Sequence, residues 1–247
     1  MTLAGRVALV TGGSRGIGRA AALALAAAGA DVAITYRERA DAAEEVTAAI
    51  AALGRRALSV RADLGPGAEA TRVIDEVSAG LGPVDVLVNN AGVLEQKPFE
   101  QVTEADLDRA LAVNLKAVFL LSQAVMGPMR ERGWGRIVNV ASSGGQLGGP
   151  LAVHYSASKA GVIGLTRSLA RVGAPQVAVN CVSPGLIETE MTETEIASPA
   201  GRQKLDQIPL GRVGTPDDVA ATIAYLAAAA PYVTGQTFNV NGGLYLG

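Results

Sequence analysis

Thr11-Gly12-Gly13-Ser14-Arg15-Gly16-Ile17-Gly18 follows the apolar run Val7-Ala8-Leu9-Val10 and opens an alanine-rich stretch that continues to Ala28. A glycine-rich turn between a strand and a helix is a phosphate-binding device. Gly12 permits a tight turn, Gly16 lets backbone approach a pyrophosphate, and Gly18 lets the helix pack closely on the strand. The helix N-terminus adds an electrostatic preference for the anion. The gap between the first two glycines is wider than in the common dinucleotide fingerprint, and an isolated turn of this kind also serves as a plain βα connection. Its place directly after a strand gives it meaning here.

Outward from this turn, β-branched apolar runs alternate with longer Ala/Leu-rich segments to the end of the chain, the pattern of βαβ units and a parallel sheet. Strands are expected near Val7–Thr11, Val32–Tyr36, Ala57–Arg61, Val84–Asn89, Arg136–Ser142, Val177–Val182 and Gln236–Val240. Helices are expected near Gly16–Ala28, Ala40–Leu53, Ala68–Ala79, Glu104–Arg132, Tyr155–Val172 and Pro216–Ala229. Gly29, Gly54 and Gly80 suit left-handed helix C-caps. No repeat, linker or composition break divides the 247 residues. The expectation is α/β: a single-domain Rossmann fold over 1–247, a doubly wound seven-stranded parallel sheet with helices on both faces. The excursion from Gly185 to Arg212 reads as a substrate lid at the carboxyl end of the sheet, or alternatively as a surface insertion.

Composition narrows the function classes. With 21 Lys and Arg against 23 Asp and Glu, the net charge of −2 leaves no basic footprint for nucleic acid. One His and one Cys make a zinc site improbable and an intramolecular disulfide impossible, so no metal is expected. The N-terminal residues Met1-Thr2-Leu3-Ala4-Gly5-Arg6 lack a basic region followed by a long apolar run, and Ala20 to Ala28 is too short for a bilayer. A cytoplasmic protein without a membrane partner is expected.

At the end of the second strand, an acidic side chain would bind a ribose 2′-hydroxyl and repel a 2′-phosphate. The chain has Thr35-Tyr36-Arg37 there, and Arg37 with Arg15 can flank a 2′-phosphate, so NADP(H) is expected over NAD(H). Glu38 facing the ribose would reverse that preference, and Arg37 as a solvated surface charge is the plain alternative. Asp63-Leu64 and Asn89-Asn90-Ala91-Gly92 follow the third and fourth strands, beside the same crevice. Asp63 is expected to accept from the adenine amino group, or else to cap its own turn, and Asn89 and Asn90 can equally form a polar turn.

Tyr155 and Lys159 stand four apart, on one face of a helix. An ammonium near a phenol lowers its pKa from about 10 toward the working range, which suits Tyr155 to exchange a proton with a substrate oxygen while nicotinamide exchanges a hydride with the carbon. Ser142, with Ser143 as its rival, precedes Gly144-Gly145 and can donate to the same oxygen. Asn114 lies in the helical run Leu111-Ala112-Val113-Asn114-Leu115, where a polar side chain needs its bonds met, through water beside Lys159 or by backbone alone. His154 points about 100 degrees from Tyr155 on a helix and reads as lining a helix end or interface. Cys181 reads as a small buried hydrophobe.

Taken together, Gly12, Asn89-Asn90-Ala91-Gly92, Ser142, Tyr155, Lys159, Pro184-Gly185 and Val240-Asn241-Gly242-Gly243 span the chain and resemble a short-chain dehydrogenase/reductase, most of all its 3-oxoacyl-[acyl-carrier-protein] reductase branch. The resemblance implies a ketoreductase of fatty acid biosynthesis, with Asn114, Ser142, Tyr155 and Lys159 as catalytic tetrad and Lys159 also on the nicotinamide ribose. It implies a cofactor site of Gly12, Ser14, Arg15, Gly16, Ile17, Gly18, Tyr36, Arg37, Asp63, Leu64, Asn90, Ala91, Gly92, Pro184, Gly185, Ile187 and Thr189, the last two on the carboxamide. A homotetramer is implied too, in keeping with surplus apolar surface on the long helices and the tail Leu244-Tyr245-Leu246. Carrier protein as a partner would draw on Arg130, Arg132 and Arg171, but Gly133 and the uncharged Gly173-Ala174-Pro175-Gln176 thin that surface. The substrate classes are a 3-oxoacyl thioester or similar ketone, or a sugar, polyol or other secondary alcohol; a non-catalytic dinucleotide-binding protein would lack a tetrad member.

Overall fold

The first strand, β1 (Val7–Val10), is buried along its whole length, as a strand covered on both faces must be. Ala8 and Val10 enter one apolar layer while Val7 and Leu9 enter the other, because successive side chains leave a strand on opposite sides. The chain, a computed structural model describing residues 2–247, repeats this pattern; Met1, first residue of the expected domain, lies outside the described residues. The further strands are β2 (Asp31–Tyr36), β3 (Ala57–Arg61), β4 (Val86–Asn89), β5 (Gly135–Val140), β6 (Val177–Pro184) and β7 (Thr237–Val240). They form one seven-stranded sheet in the order β3-β2-β1-β4-β5-β6-β7, with every neighbouring pair parallel.

The helices are α1 (Gly16–Ala27), α2 (Ala40–Ala52), α3 (Ala68–Gly80), α4 (Glu104–Leu111), α5 (Ala117–Glu131), α6 (Gly144–Leu147), α7 (Val153–Gly173), α8 (Glu193–Ala197), α9 (Pro199–Asp206) and α10 (Pro216–Ala228). The apolar stripes of α1, α2 and α10 cover one face of the sheet. Those of α3, α5 and α7 cover the other. A buried leucine such as Leu25 of α1, fully enclosed, contributes about 2 kcal/mol through loss of apolar surface from water. The Rossmann expectation therefore holds in strand count, direction and layering. The chain winds from β1 out to β3, then returns to place β4 on the other flank of β1. Loops leaving β1 and β4 part there and open a crevice.

Four differences from expectation bear on the crevice. The fifth strand ends at Val140, so Ser142 sits in the turn that leads into α6, which went unforeseen. The helix expected from Tyr155 begins two residues earlier, at Val153, which places Tyr155 in the first turn of α7. The stretch from Gly185 to Arg212 is not structureless but carries α8 and α9. Finally, the run expected as one helix is α4, a π-helical turn over Ala112–Lys116, and α5. A π-turn holds one extra residue, and such turns recur where a side chain must be aimed at a site; here that residue set includes Asn114. Glu104–Glu131 has the length and apolar composition to cross a bilayer, and half of that apolar stretch is buried inside the protein. Its burial in the layer shared with α3 makes it a core helix of this fold.

Candidate active site

The glycine turn takes the shape its sequence requires. Gly12 has φ +63° and Gly16 φ +53°, a region closed to most other residues. A Cβ on Gly18 would lie 2.1 Å from the Gly12 carbonyl oxygen, so helix and strand could not approach as they do. Three side chains tie the switch point together. Thr35 Oγ1 accepts from Gly12 N at 3.0 Å. Thr11 Oγ1 accepts from Asn90 N and Ala91 N at 2.9 and 3.0 Å. Asn90 Nδ2 donates to the carbonyls of Thr11 and Gly12 at 2.9 and 3.2 Å. Asn90 thus clamps β1 to β4, and Asn89 bonds inward, to Ser122 Oγ and Asn139 Oδ1.

A cleft of about 380 Å³ runs from this turn across the carboxyl ends of the strands. Gly12, Ser14, Arg15, Gly16, Ile17, Gly18, Tyr36, Arg37, Leu64, Asn90, Ala91, Gly92, Ser142, Tyr155, Lys159, Pro184, Gly185, Ile187 and Thr189 all line it. Residues the sequence reading missed line it as well: Arg39, Val93, Leu94, Glu190, Met191 and Thr192. Arg39 was visible as a second cation after Tyr36, whereas Glu190 gave no signal because only folding brings it to the glycine turn. A dinucleotide fits this cradle. No side chain caps α1 and its first turn carries no acid, so its N–H donors are left for an anion.

Asp63 lies beside the cleft rather than in its lining, next to Arg37, Glu38 and Ala62, which line both. It borders a neighbouring depression with Arg61, Glu69 and Arg109, and its Oδ1 accepts from Gly65 N at 3.1 Å, the turn-capping alternative. Arg37 is also committed: its Nε donates to Glu38 Oε1 at 2.9 Å.

At the other end of the cleft, β5 and α7 place the chemical groups. Lys159 is 4% exposed, and its Nζ donates to Val140 O at 2.8 Å. Nζ lies 5.8 Å from the centre of the Tyr155 ring. Ser142 Oγ accepts from Gly144 N at 3.0 Å and stands beside the phenol. Ser143 is buried away from the cleft, its N–H bonded to Pro184 O at 2.8 Å. Asn114 is fully buried. Its Oδ1 accepts from Val93 N at 2.8 Å, and its Nδ2 donates to Val93 O and Ser158 Oγ, each at 3.0 Å. The π-turn thereby fixes the loop after β4. A Cβ on Gly92 would meet both Asn114 Oδ1 at 3.3 Å and Lys159 Nζ at 3.5 Å, so the two groups flank the same glycine.

The electrostatics correct one expectation. Burial raises the Tyr155 pKa above its ordinary value of 10; the Ser142 hydrogen bond opposes this, and the negative charge of Glu195 adds to it. The lysine does not reverse that shift. Burial pushes Lys159 itself down to about 8, and its hydrogen bond goes to a carbonyl. At neutral pH Tyr155 is a protonated donor inside the cleft. His154 is buried with Nδ1 unpartnered and outside the cleft lining, and Cys181 is buried as expected.

The seven parallel strands, the glycine cradle and the tyrosine–lysine pair define a dinucleotide-dependent oxidoreductase. The short chain dehydrogenase family model matches residues 6–199, and the chain belongs to that family. It is an NAD(P)-dependent oxidoreductase acting on a CH–OH/C=O pair. Over 247 residues it is 44% identical to a 3-oxoacyl-[acyl-carrier-protein] reductase of Synechocystis sp., covering 99% of this chain and 98% of the relative. It is 42% identical over 245 residues to an acetoacetyl-CoA reductase of Rhizobium meliloti, covering 97% and 98%. A solved gluconate 5-dehydrogenase from Burkholderia cenocepacia, in complex with NADP and tartrate, superposes with a TM-score of 0.92 at 35% identity, covering 98% of this chain and 96% of that one.

Proposed function

We propose that the protein reduces a ketone with NADPH, most of all a 3-oxoacyl thioester or similar carbonyl, with Tyr155 as the general acid. One observation carries this reading: the phenol that burial keeps protonated lies in the same cleft as the glycine turn, between Ser142 and Lys159. Tyr155 gives its proton to the carbonyl oxygen, and Ser142 donates a hydrogen bond to that oxygen. Lys159 holds positive charge beside the phenol as it becomes phenolate, and Asn114 fixes the Val93 backbone next to Lys159. The nicotinamide, when bound, supplies the hydride. The glycine turn and α1 hold the pyrophosphate, Tyr36, Arg37 and Arg15 the adenosine end with its 2′-phosphate, and Asn90, Ala91, Gly92, Pro184, Gly185, Ile187 and Thr189 the nicotinamide end. Residues 185–212 close over the substrate, in a cytoplasmic homotetramer.

Support for thioesters comes from the two reductase relatives. The gluconate dehydrogenase likeness supports a second reading, oxidation of a sugar acid or polyol on the same machinery. Tyr155→Phe is expected to cut NADPH oxidation with acetoacetyl thioester at least about 100-fold while leaving NADPH binding in place. Retained turnover removes the phenol from the reaction. A higher kcat/KM for gluconate with NADP than for the thioester with NADPH replaces the first reading by the second. Equal rates with carrier-protein and coenzyme A thioesters speak against docking through Arg130, Arg132 and Arg171.

A further inference from the structure

One ion pair joins the two walls of the cleft mouth. Arg15, immediately before α1, donates from Nη1 to Oε2 of Glu190, 175 positions along the chain, at 2.5 Å. Both side chains are more than half exposed, at 59% and 55%, so water and ions reach the pair. Arg39 stands close enough to feel the same carboxylate.

Glu190 is presented by a stiff turn. Thr192 Oγ1 donates to the Ile187 carbonyl and accepts from Thr189 N, and Thr192 N donates to Thr189 O at 3.0 Å. Glu188 N, donating to Gly214 O at 2.8 Å, anchors the turn to the segment before α10. The turn rests on the glycine cradle itself: a Cβ on Gly16 would lie 3.3 Å from Thr189 Cγ2.

Three arginines surround the adenosine end of the proposed cofactor site, and each already has a carboxylate. Arg37 takes that of the adjacent Glu38, and Arg39 that of Asp41, two residues on. Those partners belong to the same stretch of chain and move with their arginines. Only Arg15 draws its carboxylate from the far wall. A cofactor phosphate that binds Arg15 must therefore displace Glu190 or share the guanidinium with it.

We infer that Glu190 is a specificity-determining residue, an internal anion that holds Arg15 until a 2′-phosphate replaces it, on a turn over residues 187–192 that stays in place. The inference rests on the NADP(H) reading. A phosphate monoester, with a charge near −2 at neutral pH, repels the carboxylate and takes over the guanidinium fork. A 2′-hydroxyl brings no charge and leaves the pair closed. Glu190 thus competes with NADP(H) selectively.

Equilibrium titration of the full chain with NADPH, NADH, adenosine 2′,5′-bisphosphate and 5′-AMP tests this. Glu190→Gln should tighten NADPH and the bisphosphate by roughly two- to fivefold, the range of an exposed ion pair, and leave NADH and 5′-AMP unchanged. In an Arg15→Gln background the same substitution should tighten NADPH clearly less, the remainder being direct repulsion of the phosphate by the carboxylate and its effect on Arg39. An equal gain for both cofactors, no gain, or a gain undiminished without Arg15 overturns the role of Glu190. Equal affinity of the unsubstituted protein for NADPH and NADH overturns the NADP(H) reading itself, whereas an NADPH preference insensitive to Glu190→Gln overturns only the inference.

Discussion

A lysine buried without a carboxylate partner is held in its charged form only weakly, and Lys159 illustrates what that does to a reaction. Its ammonium, lowered to about 8, is present below that pH and lost above it, while the raised phenol of Tyr155 stays protonated throughout. Ketone reduction should therefore hold its kcat/KM up to neutrality and fall as pH rises through about 8. In Lys159→Arg that fall should vanish, because a guanidinium keeps its charge. A flat profile for the unsubstituted enzyme up to pH 9.5 would show that the lysine charge is not used. At this scale the sequence named the groups and missed their state. Tyr155 and Lys159 were legible from their spacing and Ser142 or Ser143 from the glycine turn that follows, but the direction of the phenol shift depends on burial, which no residue spacing encodes. The rivalry of Ser142 with Ser143 also needed the fold, since adjacent residues leave a turn in different directions.

Elements were read where periodicity is strong and misread where a side chain breaks it. Asn114 stood out as a polar residue in an apolar helical run; that its amide bonds both the N–H and the carbonyl of Val93, from within a π-turn, follows from the loop after β4 lying alongside. Asn114→Ala leaves the Val93 N–H and the Ser158 hydroxyl without this partner, a cost of about 1–3 kcal/mol for a buried group. The melting temperature should fall by about 2–10 °C for a chain of this size, and kcat should drop more than KM rises as Lys159 loses its neighbour. An unaltered melting curve, read by circular dichroism, would contradict the assigned bonds. Helix α10 offers a simpler case: Thr215 and Asp218 form a reciprocal capping box. Thr215→Ala should cost about 1 kcal/mol, read as a shift in the urea midpoint.

Across the whole molecule, apolar side chains remain outside the two packed layers. Phe119 on α5 is 45% exposed and Tyr225 on α10 is 48% exposed, and Leu246 near the C-terminus is 88% exposed. Single exposed residues need no explanation, but the place of Phe119 and Tyr225 on helices that flank the sheet, with Leu246 in the C-terminal tail, fits the proposed tetramer. Light scattering at micromolar concentration should give four times the monomer mass, and Phe119→Glu should lower it; a monomeric mass before substitution refutes the assembly. The order of alternating apolar runs by itself determined the layers and the strand direction, and the glycine spacing and the Tyr155–Lys159 interval named the candidate cofactor end and reacting end, because each is a local periodicity or a local constraint on backbone. Only the tertiary structure decided that Asp63 caps its own turn, that burial keeps Tyr155 protonated, and that Glu190 meets Arg15 across 175 residues. Desolvation and long-range charge pairing are properties of what surrounds a group after the chain has closed on itself, and the neighbours in sequence do not carry them.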